Sequence, residues 1–340
     1  MKEKKEGLLK RKNIEISLQR YGVQALGSMA QGLFASLIIG LILKVIGEQL
    51  HIPFLYETVY SLAKDMTGPA IAVAVAYGLQ APPLVLFAST LTGMAGNQLG
   101  GPAGAFVAAV VGAEFGKLVS KETKVDIIVT PATTIVTGVL AGAAVGPAIA
   151  SVMTGLGRWI MWATELRPIP MGILISVVMG MILTLPISSA ALAIMLQLGG
   201  LAAGAATVGC STQMIGFAVA SYRENGWGGL LSQGLGTSML QIPNIVKNPL
   251  IWIPPTLASA ILGPFATTVF QMQNNPVGAG MGTSGLVGQF GTVAVMGAGG
   301  AVIFKILLLH FIAPAGLTLL ISEIMRKTGM IKPGDMKLPD

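Results

Sequence analysis

Apolar runs of membrane-crossing length, separated by short polar or glycine-rich breaks, occupy residues 28–321 of this chain. A bilayer's hydrocarbon core is about 30 Å thick, so roughly 20 apolar residues rising about 1.5 Å each cross it as a helix. Residues 28–46 meet that requirement outright, and 48–57 form a polar connection. The next run, 59–79, is interrupted by Lys64, Asp65, Gly68 and Pro69. Residues 82–94 are apolar but short. They lead into Gly96-Asn-Gln-Leu-Gly-Gly-Pro102, whose glycines and proline forbid a regular helix. A span over 103–119 follows and carries Glu114. Ahead of all these, residues 13–26 mix Ile14, Ile16, Leu18, Tyr21 and Val23 with Glu15, Gln19 and Arg20, the pattern of a short interfacial helix.

Beyond a charged loop at 120–126, residues 127–153 form a long Thr/Ala/Gly-rich span containing Pro131 and Pro147. Residues 155–167 combine Trp159 and Trp162 with Arg158 and Arg167, which predicts an interfacial helix. Residues 171–185 form a span ending at Pro186. Residues 188–222 are long enough for two short spans bent at Gly199-Gly200 and Gly204, and Arg223-Glu-Asn-Gly-Trp227 reads as a turn. The last third differs in character. Residues 228–248 are too polar to face lipid, 249–270 form a span, and Gln271-Met-Gln-Asn-Asn-Pro-Val-Gly-Ala-Gly280 is a second polar break. A short run at 286–296 and a final span at 302–321, with Lys305 and His310 on it, complete the pattern. It predicts an all-α polytopic membrane protein of roughly eight to ten membrane segments, at least two of them re-entrant. A β-barrel is excluded, because its strands need segments of about 10 residues with alternating polarity.

Composition sharpens this. Of 340 residues, 53% are hydrophobic and only 10% charged, against about 25% charged in soluble domains. The net charge of +7 is no nucleic-acid signature: six of 21 basic residues fall within 2–12 and four within 326–337. The positive-inside rule therefore predicts that both termini are cytoplasmic, as is the loop 120–126, with an even number of crossings. The basic ends would also meet anionic lipid headgroups. The N-terminal run is too charged to be a secretory signal. Cys210 is the single cysteine, and His51 and His310 lie far apart, so neither a disulfide within the chain nor a metal or other cofactor is expected. The expected organisation is a basic tail with an interfacial helix over 1–27, one membrane domain over 28–322, and a basic tail over 323–340.

Polar side chains inside an apolar chain need a reason, since each costs free energy in hydrocarbon. The densest group lies in Gly234-Leu-Gly-Thr-Ser-Met-Leu-Gln-Ile-Pro-Asn-Ile-Val-Lys-Asn-Pro-Leu-Ile-Trp-Ile-Pro254, with Gln241, Asn244, Lys247 and Asn248 among prolines. Broken backbone and amides are tolerated at membrane depth only where protein shields them or they line a wet cavity. The segment is therefore expected to fold back inside the protein, its amides facing a cavity near mid-membrane. Amides donate and accept at once, which suits a neutral polyhydroxylated ligand, and Trp252 could stack on a sugar's apolar face. Asn97, Gln98, Asn274 and Asn275, in the two other polar breaks, join Gln241, Asn244 and Asn248 as candidate substrate-binding residues. Asp65, Glu114 and His310 are candidates for coupling. Each has a plainer reading: Asp65 as the cap of a helix beginning near Thr67, Glu114 as an ion-pair partner of Lys117 near the surface, His310 as a packing residue, and Lys64 and Lys305 as snorkelling side chains.

Residues 127–153, with Pro131, Gly138 and Gly146-Pro147, resemble the central span of the membrane subunit IIC of bacterial phosphotransferase sugar permeases. The segment 243–254, with Asn248-Pro249 and Pro254, resembles that family's re-entrant substrate hairpin and the following span. The layout of 28–321 is similar to the divergent branch that includes perfringolysin-regulator-like membrane proteins. The resemblance implies a plasma-membrane homodimer in which each protomer translocates a sugar or similar neutral polar solute, with separate IIA and IIB phosphocarrier proteins. Typical members place a glutamate before a proline in the hairpin and a histidine in an earlier one. This chain has Gln241 without a carboxylate near 238–243, and Ser188-Ser189 near 186–191. Two other readings remain open at this point: a membrane sensor that keeps the permease fold, and a proton-coupled transporter using Asp65, Glu114 or His310.

Overall fold

The structure, a computed structural model, describes residues 8–338. Lys2, Lys4 and Lys5 of the basic N-terminal run lie outside the described residues. The described chain is helical with one isolated β-bridge, between Gly200 and Asn274. Among the described residues, six helices are long and apolar enough to cross a membrane: α1 (Gln19–Glu48), α3 (Pro83–Val119), α4 (Asp126–Thr164), α6 (Gly200–Ala220), α7 (Pro249–Val269) and α9 (Gly300–Lys327). Shorter apolar helices lie between them: α2 (Thr67–Gly78), α5 (Pro168–Thr184) and α8 (Val287–Met296). This is an all-α polytopic membrane protein. The chain divides into two compact units, one formed by residues 8–37 with Leu62–Ser151, the other by Ile38–Ser61 with residues 152–338.

In the first unit, α3 is 37 residues long. At about 1.5 Å per residue a straight helix of that length would reach about 55 Å, nearly twice the hydrocarbon thickness. It is folded instead. Gly100 (φ −147°, ψ 20°) and Gly101 (φ 60°, ψ −154°) leave helical geometry, and Gly101 adopts a conformation closed to residues bearing a Cβ. Residues 83–99 and 102–119 then pack antiparallel: Val85 lies against Gly116, Thr92 against Gly112, and Gly96 against Gly104 and Ala108. A Cβ on Gly96 would lie inside contact distance of the Gly104 carbonyl, so this pair sets the closest approach of the two legs. The break expected over 96–102 is thus confined to Gly100-Gly101, and Gly96–Leu99 stay helical. Residues 134–146 of α4 run along both legs through Thr134, Gly138, Gly142 and Gly146.

The second unit is organised round α6, most of whose residues are fully buried. Gly180 of α5 lies beside Gly209 of α6, and Thr184 beside Gln213, so α5 and α6 run parallel. The connection 185–199, including the short helix Ser189–Met195, must therefore return along their length. Helix α7 is antiparallel to both, with Gly172 beside Gly263, Thr267 bonded to the Pro168 carbonyl, and Gln213 beside Thr256. The two polar breaks pack on opposite halves of α6. Residues 271–288 follow its first half, with Met272 on Gly204 and Gly282 on Cys210, whereas 232–241 follow its second half, with Gly234 beside Ile215 and Ala218.

Several sequence expectations are corrected. Residues 155–164 are not a separate interfacial helix, because α4 runs unbroken to Thr164; its prolines at 131 and 147 are absorbed inside it. The interfacial helix expected over 13–26 splits instead: residues 19–26 begin α1, while a short helix, Leu8–Arg11, precedes a non-helical stretch. Residues 200–222 hold one span, not the second of two short ones, because the bend occurs at Gly200 (φ 59°) and Gly204 is helical. The stretch Tyr222–Leu231 is helical on either side of a break at Gly226 (φ 57°) instead of forming a turn. The interruption at 64–69 is present, centred on Met66.

Candidate functional site

The amides singled out in 241–248 lie in the second unit, on the short helix Ile242–Lys247 and at its two ends. Gln241 and Asn244 are buried. The Gln241 amide donates to Gln233 Oε1 (2.8 Å) and to the Met336 carbonyl (3.0 Å). Asn244 Nδ2 donates to Gln241 Oε1 (2.9 Å) and to the Lys337 carbonyl (2.8 Å). Asn248 Nδ2 donates to the Met330 carbonyl (3.2 Å) and to Asp335 Oδ2 (2.7 Å), while its Oδ1 caps Leu250 N–H (3.2 Å). Lys247 is exposed. The sequence thus selected residues that do form one polar cluster. Their surroundings are the carbonyls of residues 330–338, which follow the Lys327 end of α9.

A second polar cluster adjoins the first along the same segment. Gln213, buried within α6, accepts from Trp252 Nε1 (3.0 Å) and Thr184 Oγ1 (3.4 Å), and its Nε2 donates to Thr256 Oγ1 (3.1 Å). The Thr184 and Ser238 hydroxyls are 2.8 Å apart. Four hydroxyl or amide side chains and one indole, drawn from α5, α6, α7 and the two 3₁₀ turns Ser238–Gln241 and Pro249–Trp252, therefore converge on the second half of α6. Trp252 and Thr256 are half-buried and form the accessible side of this group. Sequence reading missed Gln213, because one amide in a 21-residue apolar helix carries no periodic signal; its only mark was the sequence Cys210-Ser-Thr-Gln213 in an otherwise apolar run.

Asn274 and Asn275 belong to a third arrangement. Asn274 is buried, and its amide donates to Thr207 Oγ1 (2.7 Å), the Gly288 carbonyl (2.9 Å) and Thr292 Oγ1 (3.2 Å), while Oδ1 accepts from Asn275 N–H (2.8 Å). Asn275 Oδ1 caps the turn Pro276–Ala279 through Gly278 N–H (2.9 Å). Asn274 thus clamps the break 271–288 to α6, while Asn275 orders the turn inside it. Lys305, expected to snorkel, donates to the Phe270 carbonyl (2.9 Å) and closes the end of α7. His310 is buried in a wide π-type turn of α9, its Nδ1 3.0 Å from Gln289 Nε2. Its Nε2 and Gln289 Oε1 have no hydrogen-bond partner among the described residues.

The remaining candidates lie in the first unit. Asn97 is half-buried and Gln98 exposed, just before the fold at Gly100. Asp65 is exposed and does not cap α2, whose cap position is Met66 without a side-chain bond. Glu114 pairs with Lys117 at 2.7 Å, as the spacing suggested, but both are buried and not near the surface. Lys117 Nζ and Arg20 Nη2 each donate to the Asn13 and Leu79 carbonyls, at 2.7–3.2 Å. The cluster ties residues 13–20 to the ends of α2 and α3.

No curated protein and no solved structure matches the chain. The family described as phosphotransferase system, EIIC matches residues 23–338, nearly the whole sequence. Helices of crossing length, a buried central helix and two broken polar segments packed against it are consistent with such a membrane component. The chain belongs to the phosphotransferase system EIIC family.

Proposed function

We propose that this EIIC protein translocates a sugar, or a similar neutral hydroxyl-rich solute, across the plasma membrane, working with IIA and IIB phosphocarrier partners and as a homodimer. The observation that carries the reading is the convergence of Gln213, Thr184, Ser238, Thr256 and Trp252 beside the Gln241–Asn244–Asn248 cluster. Hydroxyl and amide groups can exchange their internal bonds for those of a polyol, and the half-exposed indole offers an apolar face to a sugar ring. Asn274 and Asn275 are held by the protein itself and take the supporting role in this proposal. In this reading both termini and the loop 120–126 face the cytoplasm, which the lysines concentrated there favour.

The test is thermal shift of the purified protein against a sugar panel, followed by uptake into vesicles supplied with phosphoenolpyruvate and phosphocarriers. We expect a saturable shift with at least one sugar, and Gln213→Ala should raise the half-saturating concentration about 5- to 150-fold, the loss of one neutral buried hydrogen-bonding group worth about 1–3 kcal/mol. Equal saturation of wild type and variant would remove the site from this position. A second reading, proton-coupled transport, is favoured by one observation: the buried His310–Gln289 pair keeps a ring nitrogen without a partner among the described residues. Uptake that collapses with the proton gradient and needs no phosphocarrier would select it.

A further inference from the structure

The amides of the proposed solute site are engaged by another part of the same chain. Residues 330–338 leave the end of α9 through Gly329 (φ 74°) and lie across the 241–248 segment with no helix or strand of their own, turning at Gly334 (φ 91°). Side-chain amides hold them almost wholly by the backbone. Asn225 and Gln241 both donate to the Met336 carbonyl, Asn244 to that of Lys337 and Asn248 to that of Met330, while Leu338 N–H donates to Asn225 Oδ1 (2.8 Å). One carboxylate latch lies at each side: Asp335 accepts from Asn248, and Glu224, paired with Arg326, accepts from Gly334 N–H (3.0 Å). Met336 and Ile331 are buried among Phe217, Ile245, Ile251 and Met325, although the residues between them are largely exposed.

We infer that residues 330–338 form a detachable strap that closes the amide site against solute. The inference rests on the permease reading for what the strap excludes. Three observations support it. Backbone carbonyls occupy the same amide hydrogens that a sugar hydroxyl would need, so strap and solute compete for one set of donors. The strap has no regular structure to lose on leaving, and a glycine in a left-handed conformation stands at its root. Its hold on the groove is made of separate hydrogen bonds, two of them to carboxylates, and two buried anchors, contacts that water and a solute can replace singly, unlike the continuous packing of α6.

Two full-length variants test it, with glucose, mannose and sorbitol as probes. Met336→Asp places a charge in the anchor pocket and should free the strap. Asn225→Cys with Leu338→Cys, in a Cys210→Ser background, should lock it on oxidation. Half-saturating probe concentration, read by thermal shift, should fall at least fivefold in Met336→Asp. It should rise at least tenfold in the oxidised pair and return on reduction. Freed and locked proteins that bind a probe equally well would overturn the strap. A fluorescent peptide of sequence MIKPGDMKL should bind Met336→Asp in trans and be displaced by any probe that binds. If no probe binds in any state, the permease reading fails for these sugars. Peptide exchange alone then decides: binding to Met336→Asp upholds a detachable strap, and no binding overturns it.

Discussion

Replacing Asn274 with alanine separates a clamp from a ligand. The Asn274 amide has two hydrogens shared among three acceptors: Thr207 Oγ1, the Gly288 carbonyl and Thr292 Oγ1. The Gly288 carbonyl keeps its bond from Thr292 Oγ1 (2.9 Å) in the variant, so no acceptor is left bare there. Side-chain hydrogen bonds between membrane helices contribute about 0.6 kcal/mol each, so two lost donations account for about 1.2 kcal/mol. The larger effect is the half-buried Asn275 N–H, which loses Asn274 Oδ1 and with it about 1–3 kcal/mol. Together these give a destabilisation of about 2–4 kcal/mol for Asn274→Ala. Asn275→Ala removes only the cap on Gly278 N–H and should lose about 1 kcal/mol. Equilibrium unfolding in mixed micelles titrated with dodecyl sulfate, followed by tryptophan fluorescence, measures both. An Asn274→Ala protein as stable as wild type yet unable to bind sugar would refute the clamp and make Asn274 a solute ligand.

Other outcomes follow from the same geometry. Gly209→Ala should abolish a folded, monodisperse product in size-exclusion chromatography, since its Cβ would collide with the Ser176 carbonyl where α5 crosses α6; Gly155→Ala, with open space around it, should not. A cysteine at Lys121 should resist membrane-impermeant maleimide added outside cells, and labelling there would reverse the proposed orientation. The hydrogen bond and charge of Lys12, with Arg11 behind it, hold the Glu122 carboxyl below the usual carboxylate range. Because the folded value is the depressed one, this attachment is complete above the ordinary carboxylate value and is lost as pH falls through the folded one. Proteolysis at residues 10–12 should therefore rise between about pH 5 and pH 3 in wild type, and Glu122→Gln should show no such step.

Much of this architecture is legible in the chain, for physical reasons that can be named. Apolar length gives spans, and glycine pairs or Lys-Asp beside Pro69 give breaks, because backbone geometry and desolvation act locally. What escapes is anything settled by a distant partner. The long helix α4 continues through Pro147 and the Trp159–Trp162 region, although its end resembles a separate interfacial helix when read without neighbours. The amides of Gln241, Asn244 and Asn248 stand out as donors, but their acceptors are carbonyls at 330, 336 and 337. Every residue carries a carbonyl, so nothing in the sequence of 330–338 marks it as their target. Glu114 and Lys117 announce a pair by spacing, whereas its burial depends on residues 13–20 folding over it.

The fold at Gly100-Gly101 brings the two ends of α3 together. A hairpin adds either no crossing or two, so whatever enters at Pro83 and whatever leaves at Val119 emerge on one side of the bilayer, as the Lys117 bond to the Leu79 carbonyl requires. Straightened, the same apolar stretch would be one over-long crossing, and every later segment would be threaded in mirror sense. A side chain at Gly101, where φ is 60°, would thus bear on whether the two ends of α3 meet, and not only on local strain.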